Sequence, residues 1–208
     1  MSDLPLTVFV VDDDEGIRVS LERALKMRAY RVQTFDSARA FLAGYRPGQN
    51  GCLVLDYGMP DMNGLELQRH MNTSDIELPI IFITGHGGVP ESVQAIKGGA
   101  LDFIEKPFPQ SALIERIEAA FEIARGQMRV ADSQRQKQLR IDSLTARELE
   151  VLRLIVLRPS EASSKEVAAH FGISPRTVDH HRARILDKLD VSSVAELIAL
   201  VRPGDIAD

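Results

Sequence analysis

Four apolar runs in the first 124 residues each lead into side chains that can do chemistry. Val8-Phe9-Val10-Val11 runs into Asp12 and Asp13, and Cys52-Leu53-Val54-Leu55 into Asp56. Ile80-Ile81-Phe82-Ile83 runs into Thr84, and Leu101 to Ile104 is followed by Lys106-Pro107. Three carboxylates and a lysine gathered at one place make a site for Mg²⁺ and a phosphoryl group. Hard oxygen ligands hold a partly hydrated octahedral ion, and the ammonium neutralises a phosphoryl oxygen. A carboxylate can also be the nucleophile and form an aspartyl-phosphate. Taken alone, Asp12, Asp13 and Asp14 would do no more than cap a following helix and favour its dipole. Chance is a poor explanation for all five positions together.

Such a gathering requires a sheet whose strands all point the same way. The four runs, with Val32 to Phe35, read as five strands, and their near-continuous apolar character suits a parallel sheet buried on both faces. Between them Ile17, Leu21, Ala24 and Leu25 repeat at helical spacing, as do Leu113, Ile117, Phe121 and Ala124. Alternating strands and helices predict a doubly wound α/β domain of about five βα units over 1–124, with ligands beyond the carboxyl ends of its strands. Cys52 reads as a small core residue, and His86 is given no role.

Residues 125–141 are polar, basic and almost free of bulky apolar side chains. Gly126 is expected to weaken or end the preceding helix, although Arg, Gln, Lys and Ala favour helix, so the segment reads as a solvated linker, helical or not. From 142 to 208 the pattern is all helix. Thr145 with Glu148, Ser163 with Glu166 and Ser193 with Glu196 form three capping boxes. Ser174-Pro175 supplies a fourth start and Gly172 a left-handed stop. Four short helices predict a compact bundle, two of them joined by the Gly172-Ile173-Ser174 turn in a helix-turn-helix. On the helix from Pro175 to about Leu189, Val178, Ile185 and Leu189 mark the buried stripe, which leaves Arg176, Asp179, His180, Ala183, Arg184 and Asp187 on the other side. Ser, Thr, Arg and His near the start of such a helix can contact phosphates and base edges.

Composition removes several classes. The 208 residues are 44% hydrophobic with a net charge of only −5, which is incompatible with a disordered chain. No apolar run approaches the ~20 residues that span a bilayer, and the start, MSDLPLTVFVV, lacks a charged leader, so a cytoplasmic protein without membrane contact is expected. The lone Cys52 excludes an internal disulfide framework or a cysteine-rich zinc site. Residues 1–124 hold 11 basic and 18 acidic side chains, a net −7, whereas 139–208 hold 10 and 11, a net −1. The acidity therefore belongs to the first part and leaves a nucleic-acid surface open in the second.

VVDDD at the first strand end, LDYGMPDMNG around Asp56, ITGHG at Thr84 and EKPF at Lys106 resemble the receiver domain of two-component response regulators, a flavodoxin-like fold. That resemblance implies that Asp56 is the phosphoacceptor. Asp13, Asp56 and the carbonyl of Gly58 would ligate Mg²⁺, with Asp12 assisting through water. Thr84 and Lys106 would grip the phosphoryl oxygens, and Phe103 would be the switch aromatic. LTARELEVLRLI followed by KEVAAHFGISPRTVDHHRARILDKL resembles the LuxR-type helix-turn-helix domain of NarL/FixJ regulators. It implies DNA contacts from Lys165, Ser174, Arg176, Thr177, Asp179, His180, His181 and Arg184. In one departure, the family's short turn before the first motif helix is replaced by the longer stretch from Leu157 to Ser164.

Together the resemblances imply a transcription factor that receives a phosphoryl group from a sensor histidine kinase, dimerises, binds promoter DNA and meets RNA polymerase. It would not be an enzyme acting on an external substrate. A haloacid-dehalogenase-type phosphatase would need an Asp where Gly58 stands, and no Walker or GxGxxG loop occurs. A regulator that binds DNA without phosphorylation is the other alternative, and the full set Asp12, Asp13, Asp56, Thr84 and Lys106 argues against it.

Overall fold

A computed structural model describes residues 6–74, 76–85 and 89–206, so His86 lies outside the described residues. The chain forms two compact units that divide between Arg129 and Val130. In the first, β1 (Thr7–Val11), β2 (Arg31–Phe35), β3 (Gly51–Asp56), β4 (Ile80–Thr84) and β5 (Asp102–Glu105) form one sheet in the order β2-β1-β3-β4-β5, every pair parallel. Helices α1 (Glu15–Lys26), α2 (Ala38–Gly44), α3 (Gly64–Thr73) and α4 (Val89–Lys97) connect the strands, and α5 follows the last.

Strand alternation sorts the helices. Val8, Val10, Cys52, Val54, Ile81 and Ile83 share a face with Leu25 of α1 and with Leu113, Ile117 and Phe121 of α5. Phe9, Val11, Leu53, Leu55, Ile80 and Phe82 share the other with Phe41 of α2, Leu67 and Met71 of α3 and Ala95 of α4. With period 2 along each strand and both faces covered, every residue of β1 and β3 is buried. The direction of winding reverses between β1 and β3, which makes the groove at their carboxyl ends the natural ligand position. Burial pushes the thiol of Cys52 up out of the reactive range, as a small core residue requires.

Of the readings left open for residues 125–141, helical or not, the structure has the helix: Gly126 does not end it, and α5 runs unbroken from Gln110 to Asp142. One glycine costs roughly 1 kcal/mol, and the Arg, Gln, Lys and Ala around it outweigh that. One expectation fails: the capping box at Ser193 is incomplete. Its side chain accepts from the Glu196 N–H, but Glu196 Oε2 instead accepts from the N–H and hydroxyl of Ser192, at 2.8 and 2.7 Å. Ser192 offers two donors where the Ser193 backbone offers one.

The second unit contains α6 (Ala146–Leu157), α7 (Ser164–Phe171), α8 (Pro175–Leu189), α9 (Val194–Leu200) and two 3₁₀ turns at Pro159–Glu161 and Pro203–Ile206. Ile141, Val151, Leu152, Ile155, Val167, Val178, Ile185, Leu189 and Leu197 form its core. The capping boxes at Thr145 and Ser163 are complete, Ser174 caps α8 over Pro175, and Gly172 ends α7 at φ 66°. That left-handed position carries no Cβ penalty in glycine, and it allows the tight turn between α7 and α8. Among the described residues, no helix is long and apolar enough to cross a membrane.

Candidate functional site

Register alone brings the acidic residues together. Val11 of β1 lies opposite Leu55 of β3, so the next residues, Asp12 and Asp56, are neighbours. Thr84 lies opposite Glu105, which sets Lys106 just beyond the same edge, and the Lys106 N–H donates to the Thr84 carbonyl at 2.7 Å. The ammonium of Lys106 then bridges the two acids, 2.7 Å from Asp12 Oδ2 and 2.7 Å from Asp56 Oδ1. Their other oxygens accept from backbone: Asp12 Oδ1 from the Asp14 N–H at 2.9 Å, Asp56 Oδ2 from the Gly58 N–H at 2.6 Å. Asp14, not Asp12 or Asp13, caps α1. Arg18, which carried no signal in the sequence, donates to the Asp12 carbonyl at 2.7 Å and holds the loop from behind.

The loop after Asp56 is fixed just as closely. Tyr57 N–H donates to the Ile83 carbonyl, and Gly64 N–H to the Tyr57 carbonyl. A Cβ at Gly64 would stand 2.6 Å from the Asp56 carbonyl oxygen and 2.7 Å from the Phe82 ring, so only glycine lets α3 start here. Thr84 is buried at the strand end beside this loop. Phe103 is half-buried, its ring centroid 6.4 Å from that of Tyr57 and 6.1 Å from that of Phe82.

Asp12 is 1% exposed and Asp56 7%, whereas Asp13 is exposed at the rim. Burial pushes the Asp12 carboxyl above its ordinary range, against the pull of Lys106 and the Asp14 N–H. Burial also works to lower the Lys106 pKa, but the hydrogen bonds and charges of Asp12 and Asp56 prevail and raise it. Among the described residues, no three His, Cys, Asp or Glu side chains are drawn together around one point. Three acids against one lysine nonetheless leave the rim net negative, and an all-oxygen donor set suits a hard divalent cation, whose charge would relieve the desolvation of Asp12.

In the second unit, Val178, Ile185 and Leu189 are fully buried, and Arg176, Thr177, Asp179, His180, Ala183, Arg184 and Asp187 are all exposed. Lys165 is exposed at the start of α7. Ser174 and Thr177 are partly committed to each other, their hydroxyls 2.8 Å apart while Ser174 caps the helix. His181 differs from its neighbours: it is half-buried, and its Nδ1 faces inward without a partner. Lys188 is drawn to the core side, 2.7 Å from Glu148 Oε2 and 2.9 Å from the Ser143 carbonyl. The long stretch before α7 is ordered by the 3₁₀ turn at Pro159–Glu161, and Arg182 of α8 donates to the Ala162 carbonyl at its end. Arg182 and Ser164 were not singled out in the sequence.

The first unit is a receiver domain and the second a helix-turn-helix domain. Residues 8–118 match the response regulator receiver domain family, and residues 142–201 the bacterial regulatory proteins of the luxR family. The transcriptional regulatory protein FixJ of Rhizobium meliloti (strain 1021) is 41% identical over 198 residues, covering 95% of this chain and 96% of FixJ. The transcriptional regulatory protein TdiR of Thauera aromatica is 39% identical over 201 residues, covering 95% of this chain and 86% of TdiR. A solved structure of the response regulator StyR superposes with a TM-score of 0.81 at 41% identity, covering 94% of this chain and 98% of that one. The chain belongs to the NarL/FixJ-type two-component response regulators, transcription regulators that join a receiver to a LuxR-type DNA-binding domain.

Proposed function

We propose that this regulator is switched by phosphorylation of Asp56. The donor is a phosphohistidine of a sensor histidine kinase. An Asp56 oxygen forms the new P–O bond as the P–N bond breaks, and the electron pair stays on the donor's imidazole nitrogen. Lys106 and Thr84 hold the phosphoryl oxygens. Asp13, Asp56 and the Gly58 carbonyl would hold Mg²⁺, with Asp12 assisting through water, and the ion would supply positive charge against the transferring group. The observation that carries this reading is the bridging of Asp12 and Asp56 by Lys106, at 2.7 Å each, at the carboxyl edge of the sheet. The kinase has to sit against that edge. An apolar groove of about 1040 Å³ along α1, lined by Ile17, Val19, Leu21, Met27, Pro107 and Phe108 and reaching Lys106, is a suitable seat.

Phosphorylation draws Thr84 toward the phosphoryl group and vacates space for Phe103, which biases a pre-existing equilibrium toward dimers formed through α4 and β5. Exposed Val93 and Ile96 on α4 support that face. The dimer sets two copies of α8 on two half-sites of promoter DNA, where RNA polymerase is met, all within the cytoplasm. Intact-mass measurement after incubation with a small acyl phosphate and Mg²⁺ tests the central claim. Wild type should gain one phosphoryl group, and Asp56→Asn, a far poorer nucleophile of the same volume, none. Normal phosphorylation of that variant refutes the assignment.

A further inference from the structure

The exposed side of α8 carries an acid, Asp179, where the partner in the proposed function is a polyanion. A free carboxylate there would repel phosphates and could fold back one turn onto Arg182 of its own helix. It does neither. Ser164, at the first position of α7, donates its hydroxyl to Asp179 Oδ1 at 2.5 Å, and the same hydroxyl oxygen accepts from Arg182 Nη1 at 2.8 Å. A second guanidinium nitrogen donates to the Ala162 carbonyl. A hydroxyl has one proton, so the direction is fixed: cation to hydroxyl to carboxylate.

The relay has two consequences. It ties α8 to the start of α7 through side chains, across the turn at Gly172. It also leaves Asp179 with one oxygen occupied and the other, Oδ2, without a hydrogen bond among the described residues. The guanidinium leaves its Nε–H buried and unpaired to hold this place, so the contacts to Ser164 and Ala162 determine where it sits. A carboxylate pinned by one oxygen on an exposed recognition helix presents the other oxygen in a defined direction as an acceptor. In the major groove the matching donors are exocyclic amino groups, cytosine N4 or adenine N6.

We propose that Ser164 and Arg182 are positioning residues for sequence reading: through Ser164, Arg182 holds Asp179 Oδ1 so that Oδ2 is aimed to accept from a base bearing an exocyclic amino group. This rests on the DNA-binding reading above. The extended stretch from Leu157 to Ser164 gains a purpose from it, since it delivers both the Ala162 carbonyl and the Ser164 hydroxyl to Arg182.

The test uses the full-length chain, with and without a small acyl phosphate, and selection from a randomised duplex pool. Binding is then measured to the selected duplex, to each single base-pair replacement and to a scrambled duplex. Ser164→Ala should lower discrimination at one base position per half-site by roughly fivefold, the low end for a single rather than bidentate contact. Its affinity for the scrambled duplex should stay unchanged. Asp179→Ala should lose the same position, and Ser164→Ala added to it should change nothing more. Ser164→Thr, which keeps the hydroxyl, should keep the preference. Equal weakening on all duplexes would reduce Ser164 to a structural residue and overturn the proposal. An intact preference in Ser164→Ala, or an effect that persists in the Asp179→Ala background, overturns it too. A wild type that enriches no sequence overturns the DNA-binding reading itself, and the proposal with it.

Discussion

Replacing Lys106 by Met keeps the length of the side chain and removes its charge. Two carboxylates, 1% and 7% exposed, then face each other without their shared cation. Removing one partner of a buried ion pair costs about 3–5 kcal/mol. Lys106 is itself 18% exposed, so water reaches the gap and the expected loss of receiver stability is about 2–3 kcal/mol at pH 7 without divalent ions. Two conditions should relieve it. Mg²⁺ at about a hundredfold over its Kd returns roughly 2.7 kcal/mol, more than it gives the wild type, where an ammonium competes for the same oxygens. Acid relieves it as well, because the Asp12 carboxyl, already raised by burial, rises further without Lys106. A group whose folded pKa is raised adds stability below its unfolded value and loses it as pH increases, so the deficit should be larger at pH 7 than at pH 4.5. The chain has no tryptophan, and Tyr30, Tyr45 and Tyr57 all lie in the first unit, so tyrosine fluorescence during urea unfolding reports the receiver alone. A deficit that is the same with and without Mg²⁺, and the same at both pH values, refutes the electrostatic account.

Gly64→Ala must push α3 away from Asp56 and Phe82, so it should cost about 1–3 kcal/mol and slow acyl-phosphate formation, read by the same unfolding and mass measurements. In the second unit, Lys188 and the Thr145 cap overcome burial and hold the Glu148 carboxyl down to about 2. A depressed carboxyl stabilises above its unfolded value, so about 1–2 kcal/mol, after discounting for the partly exposed lysine, should be lost as pH falls from about 4.5 to about 2. Circular dichroism melts of wild type and Lys188→Met at pH 6 and pH 3 check this, and an equal gap at both would count against it. On DNA, Arg176→Ala or Lys165→Ala should weaken binding to every sequence and flatten the salt slope by about one unit for each phosphate no longer neutralised. His180→Ala should instead relax one base position by on the order of 1–3 kcal/mol, as titrations of selected and scrambled duplexes would show.

Legibility in the sequence followed the range of the interaction. The Asp12–Lys106 pair spans 94 residues, yet it could be anticipated because parallel strands deliver their ends to one edge whatever lies between. The capping boxes at Thr145 and Ser163 were legible for the opposite reason, since both partners lie within one turn. Ser193 shows the limit of that rule: a second serine one place earlier offered Glu196 a better pair of donors, a choice that spacing does not express. The continuity of α5 rests on a sum of many small propensities against one glycine, and no single position expresses that sum. Phe103 could not be told from an ordinary core phenylalanine by its surroundings in sequence, and only the resemblance assigned it a role. Arg182 and Ser164 lay wholly outside reach. Their meeting depends on how α7 crosses α8 and on a 3₁₀ turn that presents the Ala162 carbonyl, and neither has a local signature. A residue that contacts the partner lies on an exposed face and can be read from helical period. One that acts by aiming another has no such mark, and here that one is a half-buried arginine with an unpaired N–H.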